Sequence, residues 1–141
     1  MPDLLHEIFV NAPAEKVYAA LTTQNGLHGW WTADATIEGR VSGSAQFGFD
    51  KRATVFRMKV EELTPSTRVV LSCHGDVDEW KGTRLTWEIS RKDGGSIVQF
   101  RHANWREATH LFAICNSSWG ELMHRLKDYS EGKSRGPLWT E

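Results

Sequence analysis

Hydrophobic and polar residues alternate over the first part of the chain and then change to a helical spacing. Residues 4–10 alternate loosely between apolar and polar side chains, which predicts a half-buried strand. From Asn11 the apolar residues recur at helical spacing, and this predicts a short amphipathic helix that ends near Thr23. The stretch from 24 to 29 is expected to be another turn of helix or a loop.

The middle of the chain has the period of two that is typical of strands with one solvated face. Arg57 and Lys59, for example, alternate with apolar neighbours. A turn at residues 93–96 contains two glycines that tolerate positive φ, so it joins the last two strands as a hairpin. The runs predict an antiparallel meander. Their inward positions are, in chain order, Ala45, Phe47 and Phe49; Thr54, Phe56, Met58 and Val60; Val69, Leu71 and Cys73; Leu85, Trp87 and Ile89; and Val98, Phe100 and His102.

The last third of the chain returns to helical spacing from about Asn104 and keeps it for about 25 residues, until Gly132 ends the pattern. A helix of about 40 Å, at ~1.5 Å per residue, lies across most of a sheet. Its apolar stripe consists of Ala108, Leu111, Phe112, Cys115, Trp119, Leu122, Met123 and Leu126. The predicted class is therefore α+β: one strand, short helices, antiparallel strands and a long helix.

The length of 141 residues suits a single domain. We assign residues 1–133 to this domain and residues 134–141 to a C-terminal tail. The tail carries Trp139, and we expect it either to be disordered or to dock on a neighbouring molecule.

The charge balance argues against a nucleic-acid partner, because 17 Lys and Arg face 18 Asp and Glu for a net charge of −1. The first residues lack the basic and apolar regions of a secretion signal, and the apolar runs are too short for membrane insertion. Cys73 and Cys115 lie far apart, which fits neither a disulfide framework nor a zinc site. We therefore expect a cytoplasmic protein.

Several short motifs occur in the order found in one superfamily. Residues 8–22 read IFVNAPAEKVYAALT and are followed by the pair Trp30 and Trp31. Residues 82–86 read GTRLT, and residues 119–132 read WGELMHRLKDYSEG. This pattern resembles the SRPBCC or START-like superfamily, and within it the Aha-type branch named after an activator of a heat-shock chaperone ATPase. The resemblance implies a helix-grip fold, in which a curved antiparallel sheet wraps around a long C-terminal helix.

The resemblance also implies an internal cavity between the sheet and the helix. Seven tryptophans in so short a chain either line such a cavity or fill a wide core, and both alternatives stay open. In the first case, the expected ligand is a hydrophobic small molecule or lipid, and Trp80 is a lid residue at the cavity mouth. The candidate lining residues are Phe47, Phe56, Met58, Leu71, Trp87, Phe100, His102, Cys115, Trp119 and Met123.

Two other classes of function compete with simple ligand binding. An enzyme resembling a cyclase or a hydrolase would use a cavity histidine, for which His102 is the candidate, with His110 and His6 as weaker ones. A chaperone-associated or homodimeric interaction module would instead act through an exposed Trp30 or Trp31, or through Trp139. We expect no other catalytic residue.

Residues 74–79 are the best candidate for a metal site, because His74, Asp76, Asp78 and Glu79 are potential ligands. Hard metal ions need more converging oxygen atoms than this segment supplies, and a solvated loop is the simpler interpretation. We expect neither a metal nor a cofactor.

Overall fold

A computed structural model describes residues 2–75 and 77–141 of the chain. It contains seven strands, three α-helices and one short 3-10 turn. In chain order they are β1 (Leu4–Val10), α1 (Ala14–Thr22), α2 (Gln24–Trp30), β2 (Asp34–Ile37), β3 (Ser44–Phe49), β4 (Thr54–Thr64), β5 (Arg68–His74), the 3-10 turn (Asp78–Trp80), β6 (Arg84–Lys92), β7 (Gly95–Ala103) and α3 (His110–Ser130).

The seven strands form a single antiparallel sheet in the order β1-β7-β6-β5-β4-β3-β2. Consecutive strands from β2 to β7 are neighbours, and β1 joins the far side of β7 as an edge strand. Helix α3 packs on β1, α1 and α2. This is the predicted helix-grip architecture, and the predicted meander and the two short helices after β1 are confirmed.

The predicted start of the long helix is wrong by about six residues. Asn104 has a positive φ of 73°, a left-handed conformation that ends β7 and does not continue into an α-helix. The helix begins at His110 after Thr109, whose side-chain oxygen accepts a hydrogen bond from Phe112 N at 3.2 Å. Its 21 residues give a length of about 31 Å.

Strand β2 has no counterpart in the sequence prediction. It is only four residues long and pairs with β3 through a register that sets Ala35 opposite Phe47. So short a segment carries at most two inward side chains, too few to establish a period of two. The strand forms the second edge of the sheet.

The C-terminal segment docks on its own chain. It is therefore neither disordered nor docked on a neighbouring molecule, which were the two expectations for it. Leu138 N and Trp139 N both donate to Trp31 O, at 3.1 and 3.2 Å, and Ala33 N donates to Trp139 O at 2.9 Å. Arg125 Nη1 adds hydrogen bonds to the carbonyl oxygens of residues 136 and 137. The segment therefore lies against the end of α2 and beside α3.

The interior is dominated by aromatic rings. Trp31 stacks on Phe47 with a centroid distance of 4.0 Å, and Phe100 lies 4.3 Å from Trp119. Trp87 completes the contact, 5.1 Å from Phe100 and 6.0 Å from Trp119. The region between the sheet centre and the middle of α3 is thus filled by packed rings.

No helix in the described part of the chain is both long enough and apolar enough to cross a membrane. Helix α3 is the longest, and charged residues such as Glu121, Arg125 and Asp128 lie along it.

Candidate functional site

An apolar cleft opens beside the packed core, between the N-terminal half of α3 and the β3–β4 side of the sheet. The 3-10 turn and the C-terminal segment close two of its sides, and its volume is about 350 Å³. That volume falls at the lower end of the ~300–1,000 Å³ typical of ligand pockets. The lining residues are Trp31, Phe49, Thr54, Phe56, Val77, Trp80, Leu111, Ile114, Cys115, Ser118, Trp119, Leu122 and Trp139.

Aromatic rings in mutual contact form most of the cleft wall. Phe56 lies 4.1 Å from Trp80 and 5.1 Å from Phe49, and Phe49 lies 4.8 Å from Trp139, all between ring centroids. The planes of Trp80 and Trp119 differ by only 25°. The cleft therefore offers ring faces, which suit an apolar and flat partner.

The lining carries no charged side chain among the described residues. Burial raises the pKa of the Cys115 thiol to about 11, an effect that the nearby Trp80 indole N–H opposes and that Glu79 reinforces. The thiol is therefore neutral at physiological pH. Ile114, with 48% of its surface exposed, lies at the mouth of the cleft. A second groove of similar size, on the outer face of β1, β6 and β7, is lined instead by charged residues such as Glu7, Glu88 and Arg101.

The family model described as "Activator of Hsp90 ATPase homolog 1-like protein" matches residues 11–131 of the chain. The chain belongs to this family. The match covers the fold from α1 to the end of α3, and it confirms the resemblance to Aha-type domains.

Solved structures resemble this family member over nearly its whole length. The Aha1 dimer from Colwellia psychrerythraea is 32% identical with a TM-score of 0.86, covering 94% of this chain and 98% of that chain. The protein MLL2253 from Mesorhizobium loti is 15% identical with a TM-score of 0.80, covering 90% and 95%. CalU16 from Micromonospora echinospora is 16% identical with a TM-score of 0.76, covering 96% and 69%. The last two likenesses concern the fold alone. No curated protein matches the chain.

In this member of the Hsp90 ATPase activator homolog 1-like family, three of the predicted lining residues lie on the cleft: Phe56, Cys115 and Trp119. Seven others are buried in the core beside it. The prediction misplaced them because the alternation of a strand identifies its inward face but does not show how deeply each side chain is packed among other rings. The residues placed in the core are Phe47, Met58, Leu71, Trp87, Phe100, His102 and Met123.

Both ring nitrogens of His102 are engaged inside this core. Trp119 Nε1–H donates to His102 Nδ1 at 3.2 Å, so the ring proton is assigned to Nε2, which lies 2.9 Å from Thr83 Oγ1. Thr83 in turn donates to Trp80 O at 2.6 Å. Burial lowers the pKa of His102 to about 3. The imidazole of His102 is therefore neutral and fully buried, and both of its nitrogens have hydrogen-bond partners. It positions its neighbours and does not face the cleft. The other two histidine candidates lie elsewhere: His6 is half-buried on β1 and His110 is exposed at the start of α3.

The candidate metal ligands do not form one cluster in the described part of the chain. His74 Nε2 lies 2.9 Å from Ser72 Oγ, and Asp78 pairs with Arg106 at 3.2 Å. Asp76 lies outside the described residues. The segment supplies side chains that bond to neighbouring protein groups.

The expectation that Trp30 or Trp31 projects outward is wrong. Trp30 is fully buried and its Nε1–H donates to Ala20 O at 2.9 Å, while Trp31 is buried against Phe47 and reaches the cleft wall. Both rings pack beneath the short helices.

Some cleft residues were missed as lining residues although a sequence signal marks them. Leu111 lies four residues before Cys115 along α3, and Ser118 and Leu122 lie three and seven residues after it, so they share one helical face. Trp80, expected at a cavity mouth, lies on the cleft wall.

Proposed function

We propose that this chain binds a small, neutral, hydrophobic molecule in the cleft between α3 and the β3–β4 side of the sheet. The observation that carries the proposal is the uncharged lining of aromatic and aliphatic side chains around about 350 Å³ of space. A charged ligand would lose its hydration there without gaining a partner.

The size of the cleft sets an affinity that can be measured. A ligand of two or three rings that buries roughly 250 Å² of apolar surface gains about 6 kcal/mol. This free energy corresponds to a Kd on the order of 10–100 μM.

We further propose that binding is not accompanied by catalysis. The cyclase-like or hydrolase-like alternative requires a titratable histidine in contact with substrate, whereas the pKa of His102 is lowered to about 3 by burial and its nitrogens are occupied. The nearest thiol on the cleft, Cys115, has a pKa raised to about 11 by burial. Neither group is poised as a base or a nucleophile at neutral pH.

A pair of lysine variants on α3 tests the site. Ile114→Lys places a charge at the mouth of the cleft, and Ala113→Lys places the same charge on an adjacent exposed position that does not line it. Titration with N-phenyl-1-naphthylamine, a neutral apolar fluorophore, should give saturable binding that Ile114→Lys weakens at least tenfold and Ala113→Lys leaves unchanged. Absence of saturable binding, or equal losses in the two variants, would contradict the proposal.

Homodimerisation is a second property that we propose for this chain. The 32% identical relative from Colwellia psychrerythraea is described as a dimer. In this chain β1 is an edge strand whose outer face exposes Leu5 (61%) and Phe9 (39%). Light scattering should report a dimer that Leu5→Lys dissociates, and Val41→Lys, at an apolar position of similar exposure elsewhere, should leave it intact. A wild-type monomer at high concentration would refute dimerisation.

The cytoplasmic location expected from the sequence and the chaperone-associated alternative remain proposals. The free, buried thiols of Cys73 and Cys115 support a reducing compartment. The family description supports the chaperone alternative, which an assay of chaperone ATPase rate with and without this protein tests directly.

A further inference from the structure

The C-terminal segment, residues 134–141, closes one side of the cleft although none of its residues is fully buried. Trp139 supplies a ring of the cleft wall, 4.8 Å from Phe49 between ring centroids. Every residue of the segment is half-buried or exposed, whereas Trp31 and Trp119 on the other walls are buried. The cleft therefore combines walls fixed in the core with one wall that is held at the surface.

A small set of hydrogen bonds holds the segment in place. Ala33 N donates to Trp139 O at 2.9 Å, and two amides of the segment donate to Trp31 O. Arg125 Nη1 on α3 donates to two carbonyl oxygens of the segment, at 3.0 and 3.3 Å. Ion pairs between Arg135 and two carboxylates of α3 are partly exposed and add little stability. Segments with few and exposed contacts are the ones that open locally while the rest of a fold stays closed.

Two glycines give the segment places to pivot. Gly132 follows α3 and Gly136 lies inside the segment, with φ angles of 80° and 81°. Glycine adopts this left-handed conformation at little cost, and an added Cβ at either position would meet nothing within 4 Å beyond its chain neighbours. Rotation at these two positions can move Trp139 away from the cleft without disturbing α3.

We propose that the C-terminal segment opens and closes independently of the rest of the fold, and that a ligand in the cleft holds it closed. The ligand contacts Trp139 only in the docked state, so it binds this state more tightly and increases its population. The proposal rests on the proposed function, because it assigns a regulation to the same cleft.

The coupling between ligand and segment is reciprocal. Full release of the segment weakens ligand binding by the same factor by which the ligand stabilises the docked state. Arg125 does not line the cleft, yet it holds the backbone on which Trp139 is carried. It is therefore a positioning residue for this wall.

Amide hydrogen exchange of the full chain, measured by NMR, tests the coupling. The Ala33 amide reports docking directly, because its acceptor is Trp139 O. In the free protein the Ala33 and Trp139 amides should exchange faster than the core amides of β4. Saturation with N-phenyl-1-naphthylamine should slow both about threefold to tenfold, the range expected for the apolar contact with one ring. The Thr67 amide, which donates to Thr64 O in the turn between β4 and β5, is the control and should keep its rate.

A pair of variants on α3 tests the anchor. Arg125→Met removes the donors to the segment and should speed exchange of the Ala33 and Trp139 amides about fivefold or more in the free protein, as expected for lost hydrogen bonds. Lys127→Met is the matched control, because Lys127 carries the same charge on the same helix but bonds to Phe9 O and to its neighbour Glu131. It should leave both exchange rates unchanged.

Fluorescence titration of the same samples separates this proposal from ligand binding itself. Saturable binding that slows the Ala33 amide no more than the Thr67 amide would overturn the coupling and leave the proposed function intact. Exchange of the Ala33 amide as slow as that of the β4 core would overturn independent opening. Equal exchange rates in Arg125→Met and Lys127→Met would overturn the role of Arg125. Absence of saturable binding would overturn the proposed function and the coupling with it.

Discussion

His102 makes the stability of this fold sensitive to acid. The ring is fully buried, accepts a hydrogen bond from Trp119 and lies within hydrogen-bond distance of Thr83. A second ring proton would face the Trp119 N–H, and the positive charge would be surrounded by the rings of Trp80 and Trp105. Protonation is therefore compatible with the unfolded chain and opposed by the folded one.

The size of the effect follows from the difference between the two states. In the unfolded chain the pKa of His102 has its ordinary value of 6.5, whereas burial lowers it to about 3 in the folded chain. Between these values the unfolded state binds one more proton, so the free energy of unfolding decreases as the pH falls, by about 1.4 kcal/mol per pH unit. From pH 7 to pH 4.5 the loss amounts to roughly 2–3 kcal/mol.

Urea unfolding followed by tryptophan fluorescence between pH 7 and pH 4.5 measures this loss. His102→Gln is the reference protein, because an amide can accept from Trp119 and donate to Thr83 but does not titrate. Its baseline stability can differ from the wild type, since only the pH dependence is compared. Carboxylates with lowered pKa values, such as Glu131 beside Lys127, stabilise the fold less in acid. This loss is the same in both proteins, so it cancels when their pH profiles are compared. Parallel pH profiles for the two proteins would refute the reasoning.

Three further predictions concern packing, the cleft and the thiols. Gly26→Ala should lower the free energy of unfolding by about 1–3 kcal/mol, because a Cβ there would lie 2.7 Å from backbone atoms of α1. Gly120→Ala on α3 is the control, because its Cβ would meet nothing closer than 3.6 Å, and it should be neutral or stabilising by up to ~1 kcal/mol. Urea unfolding of the two variants compares these values. Trp139→Ala removes one wall of the cleft and should weaken N-phenyl-1-naphthylamine binding about threefold to tenfold in the same fluorescence titration, and an unchanged Kd would exclude this wall from the site. Burial raises the pKa of Cys73 to about 12 and that of Cys115 to about 11, so a chromogenic disulfide reagent at pH 8 should react with both thiols only after unfolding; rapid reaction of the native protein would contradict their burial.

The sheet and the long helix were predictable because their signals are local and repeated. Strand β4, for example, alternates Phe56, Met58 and Val60 with basic residues, and α3 repeats apolar residues over several turns. The start of α3 was not predictable in the same way. The buried Trp105 extends the apolar pattern toward Asn104, but Asn104 has a left-handed backbone conformation and the residues between it and the helix form a loop.

The cleft was only partly predictable, for a different physical reason. Periodicity assigns Trp87 and Phe56 to the same side of the sheet, but ring packing across the core decides that Trp87 is enclosed and Phe56 reaches the cleft. The docking of Trp139 depends on backbone hydrogen bonds to Trp31, which no side-chain pattern encodes.

Equilibrium dialysis of the wild-type protein against about 100 μM N-phenyl-1-naphthylamine, a concentration at or above the expected Kd, tests ligand binding in the cleft most directly. The account predicts about one bound molecule per chain in the wild type and in Ala113→Lys, and much lower occupancy in Ile114→Lys. No bound molecule in the wild type, or equal occupancy in Ile114→Lys, would contradict it.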